Sequence, residues 1–532
     1  MSTLLLVTLL LPLVGGVVVA ALPTDRLQLA KQLTLGVSLF VLVLTLVMAV
    51  RFDTGGERFQ YVSSYTWIAD FGVRFALGVD GIAVVLIALI GVLVPVVVAA
   101  SWNDEPPRRP HERAVDREHA AGADRSVSRG MHSMKAFFAW LLVLETMMIG
   151  VFAATDVFLF YVFFEVMLVP MYFLIGSFGG PRRQYAAVKF FLYSLLGGLI
   201  MLASVIGLFV VSQSQLGQGT FAFDALRQLE ITPGTQKLLF LGFFIAFAIK
   251  APLVPFHTWL PDAGAEAPIG GAVLLVGVLD KVGTFGFLRY CLPLFPDASR
   301  FFAPFALVLS VVGIVYAALL AMGQSDMKRL IAYTSIAHFG FIGLGIFAFT
   351  TQAGTGAVLY MVNHGISTGA LFLIVGVLIN RGGSRLIGDY GGMAKITPLL
   401  GGAFLIAGLS SLALPGTNSF VSEFLVLIGS FGTQPVFAII ATAGIILAAL
   451  YILLMYQRTM HGPDNLSNPR LRTARDLDKR ELATIGPLIA LIIVLGVYPK
   501  PLLDIITPAV EATMVDLGAT DPAPTVAEEA GS

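Results

Sequence analysis

Apolar runs of about 20 residues, enough to cross a bilayer as helix, recur along almost the whole chain. They fall at 2–21, 32–50, 77–101, 136–154, 157–176, 187–212, 237–266, 269–292, 302–322, 327–349, 353–379, 398–430, 433–457 and 484–506. The pattern predicts an all-α polytopic membrane protein with about fourteen transmembrane helices, an even number that puts both termini on one side. The first run has no basic residue before Arg26, so it lacks the positive start of a secretory signal and reads as a retained span.

Two runs are interrupted. The seventh carries Pro252, Pro255 and Pro261, and the twelfth carries Pro415 and Gly416. Proline removes a helical hydrogen bond and clashes with the preceding turn. Broken helices at membrane depth are tolerated where they line a cavity or pack in protein, and in transporters they mark the ion site. The breaks lie five spans apart, an offset that reverses direction through the membrane. The layout predicts two inverted five-helix repeats, spans 4–8 (136–292) and 9–13 (302–457). Residues 1–135 hold spans 1–3 and a basic loop. Residues 458–532 hold a loop, span 14 and a tail.

Composition agrees: 57% of residues are hydrophobic and 12% charged, against about 25% charged in soluble proteins. Lys+Arg and Asp+Glu are equal at 33 each, so net charge points to no nucleic-acid partner. A single cysteine, Cys291, cannot hold an iron–sulfur cluster, which typically takes four. Neither a phosphate-binding glycine loop nor a dinucleotide fingerprint is present. The expectation is a chain with no redox centre, nucleotide or metal of its own. With the N-terminus outside, 23 basic residues fall in inside loops and 8 in outside segments, the asymmetry of the positive-inside rule. Residues 102–135 read as a flexible inside loop, and the tail from Asp516 as acidic and disordered.

Lys250 and Lys281 are the basic residues this sorting leaves inside spans. A charge near the bilayer centre is costly and normally functional. Glu165 sits mid-span, five residues before Pro170, which kinks the helix beside the carboxylate. Lys250 precedes the first break and Glu423 follows the second. Lys281 has Asp280 beside it in sequence, pointing about 100° away around the helix. His338 and His364 lie on spans 10 and 11. Burial moves lysine and glutamate toward neutral pKa and a nearby opposite charge moves them back, so a buried Glu–Lys pair is a two-state proton device. Histidine changes charge most easily near neutral pH. Bland accounts stand beside these: an ion pair clamping helices at Glu165, a snorkelling Lys250, local Asp280–Lys281 neutralisation, satisfied core histidines.

Six stretches carry a family resemblance: LGVDGIAVVLI (77–87), LFYVFFEVMLVPMYFLIGSFGG (159–180), KFFLYSLLGGLIML (189–202), FFIAFAIKAPLVPFHTWLPDAGAEAP (243–268), MKRLIAYTSIAHFGFIGLG (327–345) and LPGTNSFVSEFLVL (414–427). They resemble the antiporter-like subunits of respiratory complex I, the proton-pumping NADH:quinone oxidoreductase, and most closely its subunit M (NuoM) type. The resemblance implies that Glu165 and Lys250 pair, that Lys281 is central, that His338 and His364 relay, and that Glu423 is the exit. It implies a multi-pass subunit of the bacterial inner membrane with termini on the periplasmic side. Its partners would be neighbouring antiporter-like subunits of the membrane arm, lipids and protons. FMN, iron–sulfur clusters and quinone would lie on other subunits. The alternative is a subunit of an Mrp-type Na⁺/H⁺ antiporter, in which lysine is usual where Glu423 stands. A third reading is a structural scaffold. Two features depart from the family pattern: the basic insertion 102–133, and Asp280 where an apolar residue is usual.

Overall fold

Inside a bilayer each apolar run satisfies its backbone only as helix, and helices dominate the computed structural model, which describes residues 2–23, 25–104, 133–463, 465 and 468–523. α1 (Ser2–Ala21) and α2 (Leu27–Val50) come first. The chain then forms a hairpin rather than the plain connection expected. β1 (Gln60–Ile68) pairs antiparallel with β2 (Val73–Val79), Gln60 opposite Val79 and Thr66 opposite Arg74. Its β-branched and aromatic residues, QYVSSYTWI, favour strand. The all-α expectation is corrected to that extent, and the third span starts later than Leu77. α3 (Gly81–Ala100) is capped by Asp80, whose Oδ1 accepts from Ala83 N at 2.9 Å. The loop expected at 102–135 falls outside the described residues from 105 to 132.

α4 (Met134–Ala153) is followed by a kinked pair, α5 (Val157–Val166) and α6 (Leu168–Phe178), with the irregularity at Met167 next to Glu165. α7 (Arg183–Leu216), the divided α8 (Pro233–Lys250) and α9 (Trp259–Glu266), and α10 (Ile269–Leu294) follow. Next come α11 (Pro296–Met322), α12 (Met327–Phe347) and α13 (Thr351–Gly382). Then come the divided α14 (Pro398–Ser411) and α15 (Asn418–Phe431), α16 (Pro435–Met460) and α17 (Lys479–Val497). Among the described residues, 12 helices are long and apolar enough to cross a membrane, counting α5 and α6 as one. The two interrupted runs, 237–266 and 398–430, make α8/α9 and α14/α15 instead.

The last span, expected at 484–506, ends at Val497. Pro499 and Pro501 stop it, and the chain restarts as α18 (Lys500–Leu517). The tail expected to be disordered from Asp516 is ordered through residue 523. Asp516 binds Arg58 and Arg227, each at 2.5 Å; residues 524–532 lie outside the described residues.

α10 is buried on every side, α12 and α13 nearly so, while α1, α2, α16 and α17 have about a third of their apolar windows covered. A helix that is apolar all round belongs in such a core. Polar contacts gather at two ends of the bundle. At one, Arg58, Arg227 and Arg300 hold the end of α18. At the other, Lys31 reaches Trp102 O, Lys135 reaches Leu22 O, and Arg381 pairs with Glu481.

Arg289, one of the 8 basic residues counted to the outside at the end of the run 269–292, is buried within α10. Its guanidinium Nη2 lies 2.6 Å from Asp80 Oδ1, and its Cζ 4.7 Å from the centroid of the Phe59 ring, which ties the hairpin to the core helix. Replacing one partner of such a pair leaves a buried charge uncompensated, at about 3–5 kcal/mol. Arg289→Leu is therefore expected to lower the unfolding temperature of the detergent-solubilised protein sharply. Asp80→Asn added to Arg289→Leu should recover part of the loss, since Asn still caps α3. A double variant no more stable than Arg289→Leu would contradict the pairing account.

Candidate functional site

Lys250 is the last residue of α8. Pro252 and Pro255 occupy the break after it, and Pro261 sits in the first turn of α9, where a missing N–H costs nothing. Trp259 Nε1 donates to Ile249 O at 2.9 Å and fastens the second half of the helix to the first. Lys250 Nζ is buried, hydrogen-bonds no protein group, and lies 5.2 Å and 5.4 Å from the rings of Phe164 and Phe190. Glu165 is half-buried, in the last turn of α5. Its carboxylate lies directly over Gly198 of α7, in the space a Cβ at that position would enter. Glu165 and Lys250 interact through space without a direct hydrogen bond. The resemblance implied a pair; in the structure the two charged groups make no direct contact.

Lys281 lies wholly buried on α10, just after a π-helical turn at Leu275–Leu279. In that turn Asp280 N donates to Leu275 O, one residue beyond the α-helical partner. The bypassed carbonyl, Val276 O, accepts from Lys281 Nζ. The same Nζ is 2.6 Å from His364 Nδ1. An ammonium donates and has no acceptor capacity, so Nδ1 accepts when Lys281 is protonated. His338 and His364 have ring centroids 5.2 Å apart. His338 Nε2 is 3.0 Å from Ser411 O, the last carbonyl of α14 before the second break. A carbonyl only accepts, so Nε2 carries the hydrogen. Along the structure the three side chains thus follow one another in the order Lys281, His364, His338.

Glu423 on α15 accepts from Tyr360 OH at 2.8 Å, and Tyr360 lies 5.7 Å, ring to ring, from His338. Tyr360 was absent from the residues the sequence singled out, although it stands one helical turn before His364 on the same face. Asn363 and Ser367 extend that face, meeting Ser410 and the residues that open α15. Ser410 Oγ donates to Asn418 Oδ1 at 2.6 Å, Ser367 Oγ to the same atom at 3.1 Å, and Asn363 Nδ2 to Asn418 O at 2.7 Å. Two further buried acids lie on spanning helices: Glu145, which the sequence reading passed over, and Asp280, which it weighed only as a neighbour of Lys281. Glu145 on α4 and Asp280 on α10 are fully buried, and none of their carboxylate oxygens hydrogen-bonds a protein group. Each stood in the sequence as a charge inside an apolar run, which was the available signal.

One end of α9 is anchored by ions. Asp262 binds Lys189 at 2.7 Å and Arg329 at 2.8 Å; Glu266 binds Arg385 at 3.0 Å, and Arg385 also binds Asp326 at 2.7 Å. Lys189, Arg329 and Arg385 served in the sequence only to sort sides, yet Lys189 and Arg329 lock the broken helix to α7 and α12.

Two broken helices, with a line of buried cations, imidazoles and carboxylates between them, define a polytopic membrane protein of the proton-antiporter class. The family model described as NADH:quinone oxidoreductase/Mrp antiporter, transmembrane, matches residues 154–449. NADH-quinone oxidoreductase subunit M of Mycobacterium tuberculosis (strain H37Rv) is 51% identical over 97% of this chain and 95% of its own. A chain of the structure titled respiratory complex I from Thermus thermophilus with bound NADH superposes with a TM-score of 0.83 at 29% identity, covering 97% of this chain and all of that one. A chain of the Mrp complex from Dietzia sp. shares the fold, with a TM-score of 0.78 at 20% identity over 97% of this chain and all of its own. The chain belongs to the NADH-quinone oxidoreductase subunit M family.

Asn418 accepts from two serines and a backbone N–H while pairing with Asn363. Asn418→Ala leaves several of these groups without partners, each costing about 1–3 kcal/mol. It should lower the unfolding temperature of the solubilised protein by more than Ser419→Ala, whose hydroxyl makes only 3.4 Å contacts to Ser367 and Ser410. Equal losses would show that the seam is not centred on Asn418.

Proposed function

We propose that this chain is a proton-translocating membrane-arm subunit of a respiratory NADH:quinone oxidoreductase. One observation carries the mechanism: Lys281 Nζ in hydrogen-bond contact with His364 Nδ1 deep in the bundle, with His338, Tyr360 and Glu423 continuing from it. Electron transfer belongs to other subunits, and this chain contributes no redox chemistry. The complex as a whole draws on FMN, iron–sulfur clusters and quinone held elsewhere.

The proton steps follow from the groups present. Glu165 and Lys250 form the adjustable pair. When Glu165 draws away, positive charge at Lys250 disfavours a second positive charge at Lys281. Lys281 then breaks an N–H bond at Nζ, and the proton bonds to His364 Nδ1. His364 gives up its other proton from Nε2 toward His338, whose ring lies 5.2 Å away, centroid to centroid, and Tyr360 and Glu423 pass it to the exit side. Lysine suits the central position because its pKa responds to burial and neighbours, whereas arginine stays charged. The reading as an Mrp-type antiporter subunit is the weaker one. It rests on a shared fold, and Glu423 stands where that class carries lysine.

The same reading places the chain in the bacterial inner membrane with both termini on the periplasmic side, from the 23-to-8 distribution of basic residues. Cysteines introduced at positions 120 and 475 should react only with reagent added from the cytoplasmic side, and one at Gln218 only from the periplasmic side. Reaction of 120 and 475 from the periplasm would overturn the orientation.

Lys281→Met keeps most of the aliphatic length and removes the titrating group. Loss of a buried charge relieves desolvation, so the complex should assemble. Lys281→Arg keeps a charge that does not leave. Both variants are expected to lose most proton pumping, measured as the NADH-driven gradient in membranes with equal assembled complex. Quinone reduction should fall with it where coupling is tight. A scaffold would show the reverse order, with Arg tolerated and Met harmful. Near-normal pumping by Lys281→Arg would reduce Lys281 to a fixed positive field.

A further inference from the structure

The proton path above makes no use of Asp280. It is fully buried in α10, and neither carboxylate oxygen hydrogen-bonds a protein group. Consecutive helical residues point about 100° apart, so Asp280 and Lys281 look at different neighbours. Lys281 turns to His364 on α13 and lies 5.3 Å from the Phe339 ring of α12. Asp280 lies one turn before Gly283, whose bare backbone packs on the end of α8: a Cβ there would be 2.5 Å from both Ala251 N and Phe247 O. One turn further along, Gly286 meets the Phe247 ring. Rising numbers on α10 thus meet falling numbers on α8, so the two helices run antiparallel. Stepping back from Gly283 to Asp280 brings the carboxylate level with the break that follows Lys250. Asp280 is within electrostatic reach of Lys250 as well as Lys281.

We propose that Asp280 is a counter-ion shared by Lys250 and Lys281 and exchanged between them, the positioning residue that converts opening of the Glu165–Lys250 pair into proton release at Lys281. The inference rests on the relay described above and supplies its coupling step. With Glu165 engaged on Lys250, the Asp280 carboxylate serves Lys281 and keeps its ammonium charged. When Glu165 draws off, Lys250 takes Asp280. Lys281 is left beside Val276 O and His364 with no anion. The N–H bond at Lys281 Nζ breaks, the proton bonds to His364 Nδ1, and no electrons change hands. The competing account is local: Asp280 neutralises Lys281 alone, and Glu165 has no bearing on it.

The test uses membranes holding equal amounts of assembled complex, with the NADH-driven proton gradient as readout. Asp280→Asn is isosteric and should cut pumping about tenfold, the effect of ~1.4 kcal/mol on a rate, while Asp280→Glu restores most of it. Should Asp280→Asn fail to assemble, Asp280→Leu, which suits the apolar surroundings, replaces it. The decisive comparison adds Glu165→Asp, a variant expected to pump partially. If both carboxylates act on one exchange, Glu165→Asp with Asp280→Asn pumps no worse than Asp280→Asn alone, because interacting residues are non-additive. Losses that multiply would overturn the exchange in favour of local neutralisation, and wild-type pumping by Asp280→Asn would overturn any part for Asp280. Lys281→Met run alongside separates the two levels. If it also pumps normally, the relay itself is wrong; if it stops while Asp280→Asn pumps fully, only the shared counter-ion falls.

Discussion

Inside a bilayer a polar group must find its partner within the protein, because lipid offers none. Everything distinctive in this structure answers that constraint. The two broken helices leave backbone carbonyls without helical partners, and side chains take them up. His338 binds Ser411 O at the second break, Lys281 binds Val276 O beside the π-helical turn, and Trp259 binds Ile249 O across the first. The groups that mend the backbone are thus largely the groups that can carry protons. A gap in the hydrogen-bond ladder and a site for an ion are the same physical object seen from two sides.

The ion pairs around α9 and the hydroxyl–amide seam around α15 solve the problem in different ways. Asp262 and Glu266 lie at an end of the bundle, where Lys189, Arg329 and Arg385 reach them directly. Deeper in, at Asn418, the partners are neutral: serines and another asparagine. A direct salt bridge at the centre would hold its proton tightly and stop traffic. Neutral donors and acceptors give a buried path polarity without fixing charge. Lys250, Asp280 and Glu145 differ from both: they are buried ionisable groups whose charged atoms hydrogen-bond no protein group.

The lengths and order of the spans were legible because a bilayer imposes a one-dimensional rule on sequence: about 20 apolar residues cross it. The same rule exposed Glu165, Lys250, Lys281 and Glu423 as charges where charges are costly, and the prolines as breaks. It was blind to structure outside the hydrocarbon. The hairpin at Gln60–Val79 reads in period two over a short stretch, and α18 is an end helix whose prolines separate it from the span before it. Sorting basic residues by loop also misplaced Arg289, since a helix end counted as solvent can be covered by a hairpin from elsewhere in the chain.

The sequence by itself determined which stretches of this protein are embedded and where its helices break, since burial in lipid and helix termination are set by local composition. Only the tertiary structure decided who touches whom. That His364 and not His338 meets Lys281, that Tyr360 joins Glu423, and that Gly283 packs on Ala251 at the end of α8 depend on contacts between residues far apart in the chain. Those contacts are fixed by how helices pack against one another. A side chain one position along a helix points about 100° elsewhere, so a small rotation of one packed helix changes every partner in the row while leaving its hydrophobic pattern intact.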